Sequence, residues 1–169
     1  MMKITKAEKT DIQELSCLLA EGFAADPLYC HYVPYEQTRV EVLRQIFFKY
    51  LSDFWEELLV LVTPQREGVL CICPHTAKGK EQVTLPPEVQ KVYDQISGGL
   101  VDEFYPRYLL LDLLAVRPAM RGKGVAKALV AEFCRRTKAQ GLPGVVEIYA
   151  PQGALSVNPE IFHMEDAFQ

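Results

Sequence analysis

Apolar and polar positions change period several times along the chain, and each change marks an element. Residues 2–6 alternate, which predicts a short first strand. In Thr10-Asp11-Ile12-Gln13 the hydroxyl and the amide can satisfy each other's backbone donors, so a capping box opens a helix. That helix gathers Ile12, Leu15, Leu18, Leu19 and Phe23 on one face. It should stop near Asp26, because Pro27 biases its predecessor away from helix. A tyrosine-rich link from Tyr29 to Tyr35 follows. Val40, Leu43, Ile46, Phe47, Tyr50, Leu51 and Phe54 then recur at helical spacing, which predicts a second amphipathic helix over 36–55. Residues 58–63 and 68–73 read as strands, and Pro64-Gln65-Arg66-Glu67-Gly68 between them is a turn signal, so an antiparallel hairpin is expected. Residues 75–85 are polar and mobile in composition, and a short helix over 87–96 ends at Gly98-Gly99.

The second half carries a different pattern. Residues 107–116 are almost continuously apolar, as in a strand buried on both faces. A turn over 117–120 leads into a helix that runs to about Gln140, with Val125, Leu129, Val130, Phe133 and Cys134 on its apolar face. Arg135, Arg136 and Lys138 favour the negative end of its dipole, and Gly141 stops it. Residues 144–149 form another strand. Strand, helix and strand with short links make a parallel βαβ unit. The fold class expected is α/β (α+β), a mixed sheet with flanking helices.

Composition narrows the function classes. A length of 169 residues suits one domain, taken here as 1–169. With 49% apolar and 24% charged residues, disorder is excluded as a global description. No apolar run approaches the ~20 residues of a membrane span, and Asp112 breaks the longest. The lysine-rich N-terminus has no apolar core behind it and does not read as a secretory signal. A net charge of -4 argues against nucleic acid as a partner and suits a cationic small molecule. The 5 cysteines form an odd set without framework spacing, which reads as reduced thiols in a cytoplasmic protein. Cys71, Cys73 and His75 alternate onto one strand face, but no fourth ligand accompanies them, so no metal site is expected.

The start of the helix after Val116 breaks several local rules together. No Ser, Thr, Asp or Asn caps it among residues 117–122. Gly122 and Gly124 fall in what reads as its first turn, where each costs up to ~1 kcal/mol against alanine. Lys123 and Lys127 repel each other and sit at the wrong end of the dipole. One reading is a poorly capped surface helix. The other is a bound anion: bare N–H groups become donors, glycines admit a close approach, and Arg121, Lys123 and Lys127 become counter-charges. Neither the Walker A spacing nor the dinucleotide fingerprint fits this run.

Leu114-Ala115-Val116-Arg117-Pro118-Ala119-Met120-Arg121-Gly122-Lys123-Gly124-Val125-Ala126 resembles the acetyl-CoA signature of the GNAT superfamily of N-acetyltransferases, with Arg121, Gly124 and Ala126 at its defining positions. Glu21 to Leu28, Val33-Pro34, Arg39 and Arg107-Tyr108-Leu109 look like the puromycin-acetyltransferase-like branch. The resemblance covers residues 3–150, with its core at 107–150. It implies a mixed, mostly antiparallel sheet flanked by helices, with one central parallel βαβ unit. It implies acetyl-CoA as cosubstrate, bound where the signature strand and the next parallel strand splay apart. Pantetheine would pair with the edge formed by Leu114, Ala115 and Val116. The pyrophosphate would sit on backbone N–H groups of Arg121, Gly122, Lys123, Gly124, Val125 and Ala126, with Lys127 nearby. The Leu114 amide would steady the oxyanion while a small-molecule primary amine attacks the thioester directly.

The tail departs from the family pattern. Ala167-Phe168 can stand for its Gly-Phe, which puts His163 where a thiolate-protonating tyrosine is usual. The closing strand pair of the family is not evident, so an open sheet edge and a homodimer that pairs across it are expected. The alternative to an active enzyme is a CoA-binding module with little catalysis. Further candidates come from the residues. Asp112, placed by alternation on the same face as Leu114, is either a desolvated base or a hydrogen-bonded structural carboxylate. His31 lies among Tyr29, Tyr32 and Tyr35, where it either handles a proton or is an ordinary loop histidine. Those tyrosines form either an aromatic wall for a cationic amine or core packing, and Glu21 and Asp26 either attract the amine or are simply solvated.

Overall fold

The computed structural model describes residues 2–74, 76–97, 107–151 and 157–163, and from residue 147 onward its backbone alone. A short strand β1 (Thr5–Lys6) leads through a single 3-10 turn into helix α1 (Ile12–Phe23). The turn is closed by the Asp11 carboxylate, which accepts the Glu8 backbone N–H at 2.8 Å. The capping box therefore starts at Glu8 rather than at the expected Thr10, because the chain makes one tight turn before the helix proper.

The tyrosine-rich link is partly helical. Asp26 accepts the Leu28 N–H at 2.9 Å and Pro27 occupies the first helical position, so the pair starts α2 (Pro27–Tyr32). The proline that ends one helix opens the next. Arg39, on helix α3 (Glu36–Phe54), holds α2 in place by donating to the carbonyls of Ala24, Val33 and Pro34. On α3, Leu43, Ile46, Phe47 and Leu51 are buried as expected, whereas Val40 is 46% exposed because it lies ahead of the packed stretch.

Strands β2 (Leu59–Val62) and β3 (Gly68–Pro74) form the predicted antiparallel hairpin. Thr63 Oγ1 accepts the N–H groups of Glu67 and Gly68 across its turn. The polar segment that follows is anchored, contrary to its composition. Glu57 accepts the Gly79 N–H at 2.7 Å, and buried Asp53 accepts those of Gln82 and Val83. Lys49, 3% exposed, pairs with Asp53 at 2.7 Å and donates to the Val83 carbonyl. Helix α4 (Pro87–Ile96) then lies against α3.

β4 (Leu109–Val116), α5 (Val125–Gln140) and β5 (Gly144–Pro151) complete the βαβ unit, and β6 (Val157–His163) follows. The sheet is six-stranded in the order β1-β2-β3-β4-β5-β6. Every neighbour is antiparallel except the β4–β5 pair. This is the mixed, mostly antiparallel α/β architecture expected. Leu15, Leu18, Leu43 and Phe47 cover one face against Val60, Val62, Val69, Cys71 and Ala115. Leu129 and Phe133 of α5 cover the other against Leu61, Leu70, Ile72 and Leu111. The alternation along β2 and β3 thus feeds two cores, one on each side.

The tail corrects one expectation. β6 pairs antiparallel with β5 from Val145↔His163 to Pro151↔Val157, so the edge of β5 is covered by this chain itself.

Candidate active site

The sequence signature begins in the last residues of β4 and runs into the start of α5. At its start β4 is locked to β5 by the parallel pairs Leu109↔Gly144, Leu110↔Val145 and Leu111↔Val146. Beyond Leu111 the two strands have no further register partners, although both continue. The sheet opens between them there, and from Leu114 to Val116 β4 has β3 as its only described neighbour.

The vertex of that opening coincides with a β-bulge. Across the β3–β4 pair, Cys71 faces Leu113 and Ile72 faces Leu111, which leaves Asp112 as the extra residue. The bulge reverses the alternation. Leu113 and Ala115 pack with the α1–α3 core, while Leu111, Leu114 and Val116 pack with the α5 core. Asp112 accepts the hydroxyl hydrogen bond of Tyr50 on α3, so it lies on the α3 side, opposite Leu114. The expectation that Asp112 and Leu114 share a face is therefore wrong by one inserted residue. β4 is also only partly buried at residues 112–114, not buried on both faces throughout.

A cavity of about 570 Å³ opens beside Asp112. Its walls come from α1, α2, α3, α4 and β4, among them Phe23, Tyr29, Phe47, Phe54 and Tyr93. Phe23, Tyr29 and Phe47 pack ring against ring at 5.2, 5.5 and 5.6 Å between centroids. Burial, and then the Asp112 charge, push the Tyr50 phenol well above its ordinary value of 10.0. The same two causes, in the same order, raise the Cys73 thiol from 9.0 to about 12. Burial first, and Asp53 second, raise the Tyr93 phenol to about 12. These groups stay protonated at neutral pH; among the described residues, the carboxylates that face the cavity are Asp26 and Asp112.

Past Val116 the chain makes a 3-10 turn, Pro118–Met120, and reaches the glycines. Gly122 and Gly124 have φ of 76° and 80°, in the left-handed region that disfavours side chains. They precede α5 rather than lying in its first turn, so the helix bears no propensity cost from them. A Cβ added at either would meet nothing within 4 Å. Gly124 is the N-cap and supplies no side-chain acceptor to the first-turn N–H groups of Val125, Ala126 and Lys127. The result is a short arc of backbone donors with open space above it.

The cations nearby divide their tasks. Arg121 donates to the Gly22 carbonyl of α1 at 2.8 Å, and Arg117 pairs with Glu21 at 2.8 Å. Both strap the loop to α1, and Glu21 is thereby a structural partner rather than an attractant for an amine. Lys123 and Lys127 are exposed beside the donor arc.

The remaining candidates separate. Tyr29 and Asp26 line the cavity, but Tyr32 and His31 do not. His31 is exposed on α2, edge-on to Tyr32 at 5.1 Å. His163 stands opposite Val145 in β6, at the end where β4 and β5 are paired, not where they part. Cys71 and Cys73 pack into the α1–α3 core, and His75 lies outside the described residues. Among the described residues no cluster of His, Cys, Asp or Glu could hold a metal ion, and no helix is long and apolar enough to cross a membrane. Tyr50 is the main residue that sequence reasoning missed. Its spacing places it on the apolar face of α3, and helical periodicity does not distinguish a core position from a cavity wall.

Comparison with known proteins bears on the fold. The sequence model described as the acetyltransferase (GNAT) family matches residues 91–155, which span β4, α5 and β5. No match to the sequence was found among curated proteins. Among solved structures, the chain is similar to a protein described as histone acetyltransferase HPA2 and related acetyltransferase from Corynebacterium glutamicum. The TM-score is 0.67 at 19% identity, over 95% of this chain and 93% of that one. It is similar to the C-terminal condensation domain of Ebony in complex with β-alanyl-dopamine. There the TM-score is 0.66 at 13% identity, over 89% of this chain and 77% of that one. A GNAT family acetyltransferase from Brucella melitensis in complex with acetyl-CoA gives 0.52 at 15% identity, over 96% and 88%. The fold is that of the GNAT acetyltransferases.

Proposed function

We propose that this protein transfers the acetyl group of acetyl-CoA to a primary amine of a small molecule by direct attack. The observation that carries the reading is the convergence at β4: a strand edge freed from β5, a donor arc at one end of it, and a carboxylate-bearing cavity at the other.

The residues fit acetyl-CoA. The left-handed glycines and the space above them suit a pyrophosphate against the N–H groups of residues 121–126, with Lys123 and Lys127 as counter-charges. The edge of Leu114, Ala115 and Val116 offers backbone groups to the pantetheine amides. Acetyl-CoA supplies an activated acyl carbon and a thiol leaving group. The Leu114 N–H polarises the acyl carbonyl as charge builds on its oxygen. Asp112 accepts the proton that the ammonium must lose before it attacks, Tyr50 holds that carboxylate by its hydroxyl, and the second proton lost from nitrogen goes to the departing thiolate as the C–S bond breaks. The aromatic walls exclude water from the approach.

The test is turnover. Purified protein is given acetyl-CoA and a set of primary amines, and free thiol and amide product are measured together. Equal amounts of both support the reading. Binding of acetyl-CoA with no amide from any amine would instead mark a CoA-binding module.

A further inference from the structure

Helix α3 buries a pair of charges away from the reacting groups. Lys49 and Asp53 stand one turn apart, both side chains buried, with Nζ 2.7 Å from Oδ2. A buried ion pair is a poor source of stability, because desolvating both charges offsets much of their attraction. Neither residue lines the cavity, but Tyr50 and Phe54, the next residue after each, do. α3 thus turns one flank to the cavity and the adjoining flank to this pair. The remaining hydrogen bonds of the pair leave the helix. Asp53 Oδ1 accepts the Gln82 and Val83 N–H groups at 2.7 and 3.2 Å, and the Asp53 carbonyl accepts that of Lys80 at 2.7 Å. Lys49 donates to the Val83 carbonyl at 2.7 Å and stands 5.5 Å from the centre of the Tyr93 ring of α4, within cation–π range. Glu57 accepts the Gly79 N–H at 2.7 Å. Gly79 lies so close to the Phe54 ring that a Cβ on it would stand 2.9 Å away.

We propose that Lys49 and Asp53 are positioning residues for the acceptor: they clamp residues 78–83 to α3 and so fix the wall that Phe54 and Tyr93 give the cavity. The inference rests on the acetyltransferase reading above, which makes that cavity the acceptor site. Residues 77–86 form neither helix nor strand, so their backbone groups have no ladder to join. An apolar pair could fill the same space on α3 but could not hold those N–H and C=O groups. Without the clamp, the N–H groups of Gln82 and Val83 and the carbonyl of Val83 must turn to water, and the segment lifts from α3. Phe54 then loses the backing of Gly79, and Tyr93 loses the ammonium that faces its ring. Val89 anchors the first turn of α4 in the core, whereas Tyr93, Ile96 and Ser97, which line the cavity, follow it. None of the bonds of the clamp reaches β4 or the glycine loop, so the acetyl-CoA side keeps its shape.

The experiment separates the acceptor side from the acetyl-CoA side. The probe is the primary amine that the wild-type protein acetylates fastest in the turnover test above. Its KM and kcat are measured for a Lys49→Met, Asp53→Leu double variant, which leaves no lone charge buried. They are measured also for Gly79→Ala, which keeps the pair but drives a Cβ toward the Phe54 ring from a left-handed position. Calorimetry gives acetyl-CoA affinity, and circular dichroism confirms folding. The double variant decides where it folds, and Gly79→Ala decides where it does not. The expected result is a rise in amine KM of about 10-fold with acetyl-CoA affinity unchanged. A lower melting temperature with amine KM unchanged would leave the pair a purely structural role and overturn the proposal, with the transferase reading still standing. An equal loss of acetyl-CoA affinity would overturn it as well, since the clamp would then act on the whole sheet. Folded wild-type protein that acetylates no amine overturns the transferase reading, and the proposal with it.

Discussion

The two ends of β4 are built from opposite materials. At its exit the chain offers backbone and little else: two left-handed glycines, an uncapped helix start and exposed lysines. At the bulge it offers side chains: a carboxylate, a partly buried phenol on it and a ring of aromatic residues from four helices. The first end is local in sequence, because its donors and glycines lie within one turn of chain. The second is assembled from residues far apart, with Tyr50 on α3 meeting Asp112 on β4. A backbone site suits a ligand part common to a whole family, since it does not depend on side-chain identity. A side-chain site can change with each acceptor, since its walls vary without altering the loop.

That contrast predicts separable failures. The largest effect belongs to the loop. Gly124→Glu forces a side chain into a left-handed position and brings a carboxylate to the donor arc, so acetyl-CoA affinity should fall roughly 100-fold or more. Gly124→Ala, which carries the strain without the charge, should lose far less. Calorimetry measures both, with circular dichroism to confirm folding.

Next is the bulge. Asp112→Asn keeps the shape but cannot take a proton, so kcat/KM for the amine should fall about 100-fold. Affinity for acetyl-CoA should not change. A matching loss of acetyl-CoA affinity would join the two ends into one site and break the comparison. Tyr50→Phe should cost roughly 10-fold in kcat, with KM for acetyl-CoA unchanged, since it removes only the hydrogen bond that orients Asp112.

The smallest effect concerns stability. Cys73 and Tyr93 titrate near about 12 in the folded chain, above their ordinary values of 9.0 and 10.0, because burial penalises their charged forms. Above about pH 9 the unfolded chain therefore holds fewer of these protons than the folded one, and stability falls as pH rises. Their contribution is complete below about pH 9 and lost progressively toward about pH 12. Thermal melts across that window should show the fall, and Cys73→Ala should make it shallower.

The elements themselves were readable because period and burial coincide. α4 appears at the predicted 87–96, and α5 ends where Gly141 stops it. The loop was readable because its rules fail locally, although the glycines prove to be a turn before the helix and not its first turn. The bulge was not readable. One extra residue in an apolar strand has no signature of its own, and it exists only in the register between β3 and β4. α1 stops before Asp26 as expected, but a proline can also begin a helix, and the Asp26 cap makes Pro27 the start of α2. Lys49 and Asp53 look like a solvated i,i+4 pair, and only the packing of residues 82–83 over them makes the pair buried. β6 has no readable signature either: Val157-Asn158-Pro159-Glu160-Ile161-Phe162-His163 does not alternate, and the strand exists only in its pairing with β5.

The most direct test is a calorimetric titration of the wild-type protein with acetyl-CoA, with CoA, ATP and phosphate as controls. The account predicts micromolar binding of acetyl-CoA and CoA and much weaker binding of ATP and phosphate, because the strand edge reads pantetheine as well as the loop reading phosphate. Folded protein that binds ATP as tightly as acetyl-CoA, or that binds none of the four, would contradict it.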